Sequence, residues 1–249
     1  MTAHRPVALI TGGARGMGFS CALTLAPDCA GVAIVDVDPE ALDRASSKLT
    51  DLGTPYLAAT ADVTSARDVT AVVEEVAGSL GAPTILINAA GILRPTRFLD
   101  IPESEWDAVV DVSMKGSFLC SKACLPAMID QRWGRIINFS STAGKNVSTL
   151  GGAHYTAAKA GVLGLTRALA TEVAEFGICV NAVCPGLIDT EMSYAYCPPE
   201  RLAEYVAATP ISRLGDPSEV AELVAFLCSE RAAYITGASL DINGGQLMV

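Results

Sequence analysis

Thr11-Gly12-Gly13-Ala14-Arg15-Gly16-Met17-Gly18 stands between a short apolar run, Val7–Ile10, and a segment, Gly16–Leu25, that reads as a helix closed by Pro27. Glycines let a backbone take positive φ and come close to another group. The helix start beyond them presents unpaired N–H groups and the positive end of the helix dipole, which suits a phosphate. The spacing Gly-x-x-x-Gly-x-Gly is one residue longer than the common dinucleotide fingerprint, and a tight strand–helix turn with no ligand would look alike. The stretch defines a first strand–turn–helix unit. The rest of the fold depends on whether that unit recurs.

It does recur. Val32–Val35 is a second strand, and Asp38-Pro39-Glu40 starts a helix with an N-cap, a proline at the first helical position and an early acid. Gly53 is its stop. Tyr56–Ala59 is a weak strand, and Asp62-Val63-Thr64 leads into a helix over Val69–Leu80. Thr84–Ile87, Arg135–Phe139, Ile178–Val183 and Ala238–Ile242 read as strands; Glu103–Met128 (with Pro126 near its end), Tyr155–Phe176 and Ser218–Leu227 read as helices. The strands are apolar at successive positions, the pattern of strands covered on both faces. Alternation along the whole chain predicts an α/β fold: a doubly wound parallel sheet with helices on both faces, in one domain over residues 1–249. The irregular segment Leu187–Ser212, with a short helix at Pro199–Ala207, reads as an inserted flap over a ligand site.

Composition excludes several functions. Of the 249 residues 51% are hydrophobic and 18% charged, enough apolar material for a sizeable core. Lys and Arg number 17 against 27 Asp and Glu, a net charge of −10, which speaks against a nucleic-acid backbone as partner. No apolar run approaches a membrane span. The start carries no secretory pattern, so the expected compartment is the cytoplasm. The eight cysteines contain no Cys-x-x-Cys pair and only His4 and His154 accompany them, so no metal site is expected and the thiols read as reduced and buried.

Asp36, at the end of the second strand, stands at the distance expected for an acid that accepts hydrogen bonds from a ribose diol. A carboxylate there repels a 2′-phosphate and argues for NAD over NADP. Arg15 pulls the other way, because a base beside the turn can pair with that phosphate. Asp36 weighs more, since a flexible Arg can turn to solvent. Tyr155 and Lys159 lie at i and i+4, on one helix face. A phenol with an unperturbed pKa of about 10 is a poor base at neutral pH, and a neighbouring ammonium favours its ionised form. Ser140-Ser141-Thr142, Asn88-Ala89-Ala90-Gly91 and the run Cys184-Pro185-Gly186-Leu187-Ile188-Asp189-Thr190 each follow a strand, on the rim where such sheets bind ligands.

Taken together, Thr11–Gly18, Asp62, Asn88–Gly91, Ser141, Tyr155 with Lys159, Pro185-Gly186, Ile235-Thr236-Gly237 and Gly244-Gly245 occur in the order of the short-chain dehydrogenase/reductase family, which the sequence resembles over essentially its whole length. The resemblance implies a Rossmann-like fold and hydride transfer between a nicotinamide dinucleotide and a secondary alcohol or ketone. It implies Tyr155 as general acid/base, Lys159 as its partner and as a ligand of the nicotinamide ribose, and Ser141 as the group that orients the substrate oxygen. It implies cofactor contacts at Gly12, Arg15, Gly16, Met17, Gly18, Asp36, Asp62, Val63, Asn88, Ala90, Gly91, Pro185, Gly186, Ile188 and Thr190, with Asp62 at the adenine and Asn88 fixing the central strand. Homodimers or homotetramers are implied through the helices Glu103–Met128 and Tyr155–Phe176, with the apolar tail Leu247-Met248-Val249 at an interface.

Two departures stand out. Ser113 occupies the position of a family asparagine that bends its helix and holds a proton-relay water, and Ala89 replaces a second asparagine. A serine hydroxyl can bend a helix by bonding the carbonyl four residues back. The substrate walls are sought among Ile92, Leu93, Arg94, Lys145, Asn146, Val147, His154, Leu187, Met192, Tyr194 and Tyr196, with Lys145 and Arg94 leaving room for an acidic substituent. Other readings of the same residues are an NADP-dependent ketoreductase, a nucleotide-sensing protein without catalysis, and an epimerase or dehydratase with tightly held cofactor.

Overall fold

The computed structural model describes residues 5–249; Met1–His4, on which the reading of the chain's start partly rests, lie outside the described residues. The strands are β1 Val7–Thr11, β2 Gly31–Asp36, β3 Tyr56–Thr60, β4 Pro83–Asn88, β5 Gly134–Phe139, β6 Ile178–Pro185 and β7 Ser239–Ile242. They form one parallel seven-stranded sheet in the order β3-β2-β1-β4-β5-β6-β7. The helices named below are α1 Gly16–Leu25, α2 Pro39–Thr50, α3 Ala66–Ser79, α4 Glu103–Val110, α5 Gly116–Gln131, α6 Ala153–Val173, α7 Glu191–Tyr196, α8 Pro199–Ala208 and α9 Pro217–Cys228.

Every residue of β1, β4, β5 and β6 is buried, which explains why these strands show no alternation. Successive side chains point to opposite faces. Ile10, Ile34 and Ile87 pack with Phe19, Leu25, Leu42 and Leu49 of α1 and α2 and with Val220, Val224 and Leu227 of α9. Leu9, Val35, Leu86 and Ile136 pack on the other face with Val69 and Val76 of α3, Cys124 and Met128 of α5 and Val173 of α6. Each such side chain contributes about 1.5–3 kcal/mol by leaving water. The edge strands β3 and β7 are only partly covered, so β3 gave a faint sequence signal. The N-cap read at Asp38 is present: its side chain accepts from the Ala41 N–H at 3.1 Å.

Strand order reverses between β1 and β4, and the register sets Thr11 beside Asn88 and Asn88 beside Asn138. The crevice outside these carboxyl ends is the ligand position of such sheets. A polar ladder fixes the level: the Asn88 amide donates to Asn138 Oδ1 at 2.8 Å, and the Asn138 amide donates to Thr166 Oγ1 of α6 at 3.0 Å.

Two expectations need correction. Glu103–Met128 is not one regular helix. α4 ends at Val110, a π-turn spans Asp111–Lys115, and α5 runs on through Pro126 to Gln131. The irregularity is that widened turn, and Ser113 does not bond the preceding turn: Ser113 Oγ is buried without a partner, and it is Ser117 Oγ that donates to the carbonyl four residues back, that of Ser113, at 2.7 Å. The flap is also more ordered than it reads, with two helices, α7 and α8, separated at Pro198-Pro199. The Thr190 hydroxyl caps the first of them, accepting from the Ser193 N–H at 3.4 Å.

Among the described residues no helix is long and apolar enough to cross a membrane, and no group of His, Cys, Asp or Glu could hold a metal ion. All eight cysteines are free and buried.

Candidate active site

The glycine turn is built to leave its helix end open. Arg15 is the N-cap of α1 yet makes no side-chain cap, and the first turn carries no acid. The first N–H groups of a helix have no partner inside it. A Cβ on Gly12, where φ is +62°, would lie 2.9 Å from the Ala90 backbone, and one on Gly18 would lie 2.2 Å from the Gly12 carbonyl oxygen. The turn is therefore pressed against the end of β4, where the Ala90 N–H donates to Thr11 Oγ1 at 3.3 Å. Gly16 faces Thr190, with 3.5 Å between a Cβ placed on it and Thr190 Cγ2, so the turn and the flap's first helix share one wall. These features fit a dinucleotide pyrophosphate.

Asp36 stands at the end of β2 with its side chain 9% exposed, and its Oδ1 accepts from the Asp38 N–H at 3.2 Å. The Arg15 guanidinium lies 3.1 Å from Asp38 Oδ2, 4.0 Å from Asp36 Oδ1 and 3.9 Å from Glu191 Oε2. Arg15 thus lies among carboxylates, with its side chain still 47% exposed. Asp62 Oδ1 is committed to the Thr64 N–H and hydroxyl, each at 2.8 Å, which leaves its other oxygen for a ligand. Val63 packs on the start of α5, where a Cβ on Gly116 would lie 2.8 Å from it. The Asn88 side chain is buried in the ladder beneath the rim, so it supports the crevice from below.

Ser141, Tyr155, Met17, Gly186, Ile188 and Thr190 line one open cavity of about 260 Å³. Ser141 follows β5 in extended backbone, and its Oγ accepts from the Ala143 N–H at 3.1 Å. The turn after it closes onto α6: Ser140 Oγ donates to the Lys159 carbonyl at 2.8 Å, and a Cβ on Gly144 would lie 2.4 Å from that Oγ. Lys159 is buried, donates from Nζ to the Phe139 carbonyl at 2.8 Å, and sits 5.7 Å from the centre of the Tyr155 ring. A Cβ on Gly91 would lie 3.3 Å from Lys159 Nζ and 3.7 Å from Ser113 Oγ. Gly91, Ser113 and Lys159 therefore meet in one buried corner.

Burial pushes the Tyr155 phenol above its ordinary pKa, against a smaller opposing pull from the Ser141 hydroxyl. Burial lowers Lys159 to about 8, countered in part by Cys184. In the protein alone, then, desolvation outweighs the expected help from the ammonium, and the phenol keeps its proton near neutrality.

The substrate walls differ from expectation. Leu93, Asn146, Val147, Leu187 and Met192 line the cavity as read. Arg94 is spent on the Leu93 carbonyl and Tyr196 Oη, and Lys145 on Asp241 and the Ser239 carbonyl. His154 is fully buried, with Nε2 3.0 Å from Glu105 Oε1, and ties α6 to α4. Tyr205, on the segment read as a flap over the substrate, lines the cavity; sequence reasoning missed Ser148, Thr149, Gln246 and Leu247 as lining residues. The place of Gln246 directly after the Gly244-Gly245 pair was the available signal. Leu247 faces the cavity, while Met248 and Val249 are exposed.

Known proteins share this arrangement. A family model described as Enoyl-(Acyl carrier protein) reductase, one of the short-chain dehydrogenase/reductase models, matches residues 12–246. The chain is 40% identical over 242 residues to the 3-oxoacyl-[acyl-carrier-protein] reductase FabG of Staphylococcus aureus, covering 97% of this chain and 98% of the relative. It is 40% identical to the FabG of Vibrio cholerae across the full length of both. The crystal structure of gox2181 superposes with a TM-score of 0.93 at 34% identity, covering 97% of this chain and 95% of that one. That of a 3-oxoacyl-[acyl-carrier protein] reductase from Brucella melitensis also gives 0.93 at 34%, covering 99% and 93%. With motifs, sheet order and rim cavity all in agreement, the chain belongs to the short-chain dehydrogenase/reductase family of oxidoreductases that work with a nicotinamide cofactor.

Proposed function

We propose that this enzyme interconverts a ketone and a secondary alcohol, with NAD preferred over NADP, as one domain whose flap over residues 187–212 covers the substrate. The observation that carries the reading is the single cavity holding Tyr155 and Ser141 beside the cofactor rim. The names of the relatives favour ketone reduction as the working direction.

Bound nicotinamide dinucleotide supplies or accepts the hydride. The chain's residues do the rest. The open start of α1 and the glycines hold the pyrophosphate, Asp36 the adenosine ribose and Asp62 the adenine. Ala90 and Gly91 line the ribose region, and Pro185, Gly186, Ile188 and Thr190 face the carboxamide. Ser141 hydrogen-bonds the substrate oxygen and stabilises charge that develops there. Tyr155 gives its proton to that oxygen in reduction and takes it back in oxidation. Lys159 keeps a positive charge beside the phenol, and the unpartnered Ser113 hydroxyl gives a hydrogen-bonding foothold for proton exchange in the same corner. The exposed Phe118 on α5 and the exposed Met248 and Val249 support a homodimer or homotetramer. The eight free thiols suit a reducing compartment such as the cytoplasm.

Three carboxylates around Arg15 favour NAD, since a 2′-phosphate would have to compete with Asp36, Asp38 and Glu191 for one guanidinium. Asp36→Ala should weaken NAD binding by about 10- to 100-fold, the value of one or two hydrogen bonds to a charged acceptor, and narrow the preference over NADP. Dissociation constants for both dinucleotides check this; wild-type enzyme that already uses NADP as well as NAD would remove the role given to Asp36. A second reading, reduction of 3-oxoacyl thioesters, rests on the relatives' names. Acetoacetyl thioester and free ketones, each assayed with NADH and NADPH, separate the two.

The raised phenol pKa sets a sign for pH dependence. Reduction draws on a proton that Tyr155 already holds, so its rate should stay level from about pH 7 to about 10 and fall only above that range. Oxidation needs the ionised phenol and should climb over the same range. Saturating pH–rate profiles in both directions test this, and oxidation falling with pH would contradict it.

A further inference from the structure

Tyr155 is the third residue of α6, in the first turn, where a helix has no internal partners for its N–H groups. The usual remedy is a side chain on the residue before the helix that accepts from the second or third N–H. That residue is Gly152, which makes no such cap. The loop after β4 leaves no room for one: a Cβ on Gly152 would lie 2.6 Å from the Thr96 carbonyl oxygen, and the Gly152 N–H donates to the Arg94 carbonyl at 2.8 Å. His154 takes over the capping. Its Nδ1 accepts from the Tyr155 N–H at 3.0 Å, alongside the Gly152 carbonyl at 3.1 Å.

That bond decides where the imidazole carries its proton. A ring nitrogen that accepts has none, so the proton sits on Nε2. Nε2 lies 3.0 Å from Glu105 Oε1 of α4, and an ionised carboxylate only accepts, so the pair matches. A hydrogen bond from the Thr96 hydroxyl, more than the pull of His154 and Arg94, holds the Glu105 carboxyl below the ordinary carboxylate range. The imidazole itself is fully buried; it stacks with the Trp106 ring at 6.4 Å between centres and presses on Gly152, where a Cβ would lie 2.7 Å from its Cε1. Turning the ring over would break both bonds. Neither His154 nor Glu105 lines the substrate cavity, so any effect on the reaction runs through the backbone of Tyr155.

Resting on the reading of Tyr155 as the proton donor to a ketone, we propose that His154 and Glu105 are its positioning residues: the carboxylate holds the imidazole as the Nε2–H form, and the imidazole caps α6 at the backbone N–H of Tyr155. The pair thereby fixes the root of the side chain whose oxygen works beside Ser141. Tyrosine is long, so a small shift at its backbone displaces the phenol oxygen. A misplacement of about 1 Å can cost about 100-fold in rate without disturbing how substrate is held.

The test uses single turnovers: enzyme preloaded with NADH or NADPH is mixed with acetoacetyl thioester or 2-pentanone, whichever pair wild type uses fastest. His154→Phe keeps an aromatic ring and loses both nitrogens; His154→Asn keeps an acceptor close to the Nδ1 position. His154→Phe should slow hydride transfer at least about tenfold, with amplitude, KM and dinucleotide affinity within about threefold of wild type. His154→Asn should recover at least about a third of the wild-type rate, because the cap acceptor returns. Glu105→Leu should slow the step as His154→Phe does and Glu105→Gln, which still accepts, should restore it; this second pair decides the matter if His154→Phe does not fold. A His154→Phe rate within about twofold of wild type, a loss that appears in amplitude or KM instead of rate, or conservative variants no better than the disruptive ones would overturn the proposal and leave hydride transfer intact. No hydride transfer by wild type with either ketone and either dinucleotide would remove the reading on which it stands as well.

Discussion

Tyr155→Phe should lower kcat by about a thousandfold while leaving NAD affinity within a fewfold of wild type. The substitution removes one oxygen and keeps the ring that packs against Gly151, where a Cβ would lie 2.9 Å from it. The cavity wall therefore stays, and what disappears is the phenol oxygen proposed to pass a proton to the substrate oxygen. Ser141 remains to hold that oxygen, so some residual polarisation persists. Stopped-flow or steady-state rates alongside dinucleotide titration check both halves of the expectation. A variant keeping more than a few per cent of the wild-type rate would mean that another group, or water, moves the proton.

Gly18→Ala should be the most damaging change at the nucleotide end. The added methyl would fall 2.2 Å from the Gly12 carbonyl oxygen, a backbone atom with no rotamer to escape through. α1 must then move away from the turn, which loosens its packing on α9 and spoils the alignment of its first N–H groups. Dinucleotide affinity should fall by at least about 30-fold, about 2 kcal/mol, and the melting temperature should drop with it. Gly78→Ala is the control. Gly78 is helical in α3, and a Cβ there meets nothing within 4 Å. That change should leave binding alone and hold or raise stability by up to about 1 kcal/mol. Calorimetric titration and thermal melts of the two variants side by side settle the comparison.

The fold was legible because five of its strands are buried on both faces and the helices between them carry explicit starts, such as Asp38-Pro39-Glu40. Boundaries were less so. The Glu103–Met128 segment carries one glycine at its break, Gly116, directly after the π-turn, but a single glycine in a helical pattern is a weak signal and a π-turn leaves no mark on apolar periodicity; in the structure Met114, within the turn, packs where a Cβ on Gly161 would lie 2.4 Å from its sulfur. The residues brought to the rim by strand ends, Ser141 and Gly186 among them, could be placed in sequence because a parallel sheet delivers every strand end to one side. Charges were harder. Arg94 and Lys145 read as free cations near the substrate, yet each is neutralised or tied by partners about a hundred residues away in sequence, Tyr196 and Asp241. The same distance hid Gln246, which reaches the cavity through the tail. The sequence also supports a lysine that acidifies its tyrosine, but burial works on both groups at once and sets each against its charged form.

The central claim is that a hydride leaves a carbinol carbon for a nicotinamide docked beside Tyr155. It is tested most directly by incubating the enzyme and NAD with a panel of secondary alcohols and diols carrying deuterium on the carbinol carbon, then locating the label. The account predicts deuterium on the nicotinamide ring of the reduced cofactor, in one-to-one amount with the ketone formed and absent with Tyr155→Phe over the same period. Deuterium released to water, or ketone appearing without label in the cofactor, would contradict it.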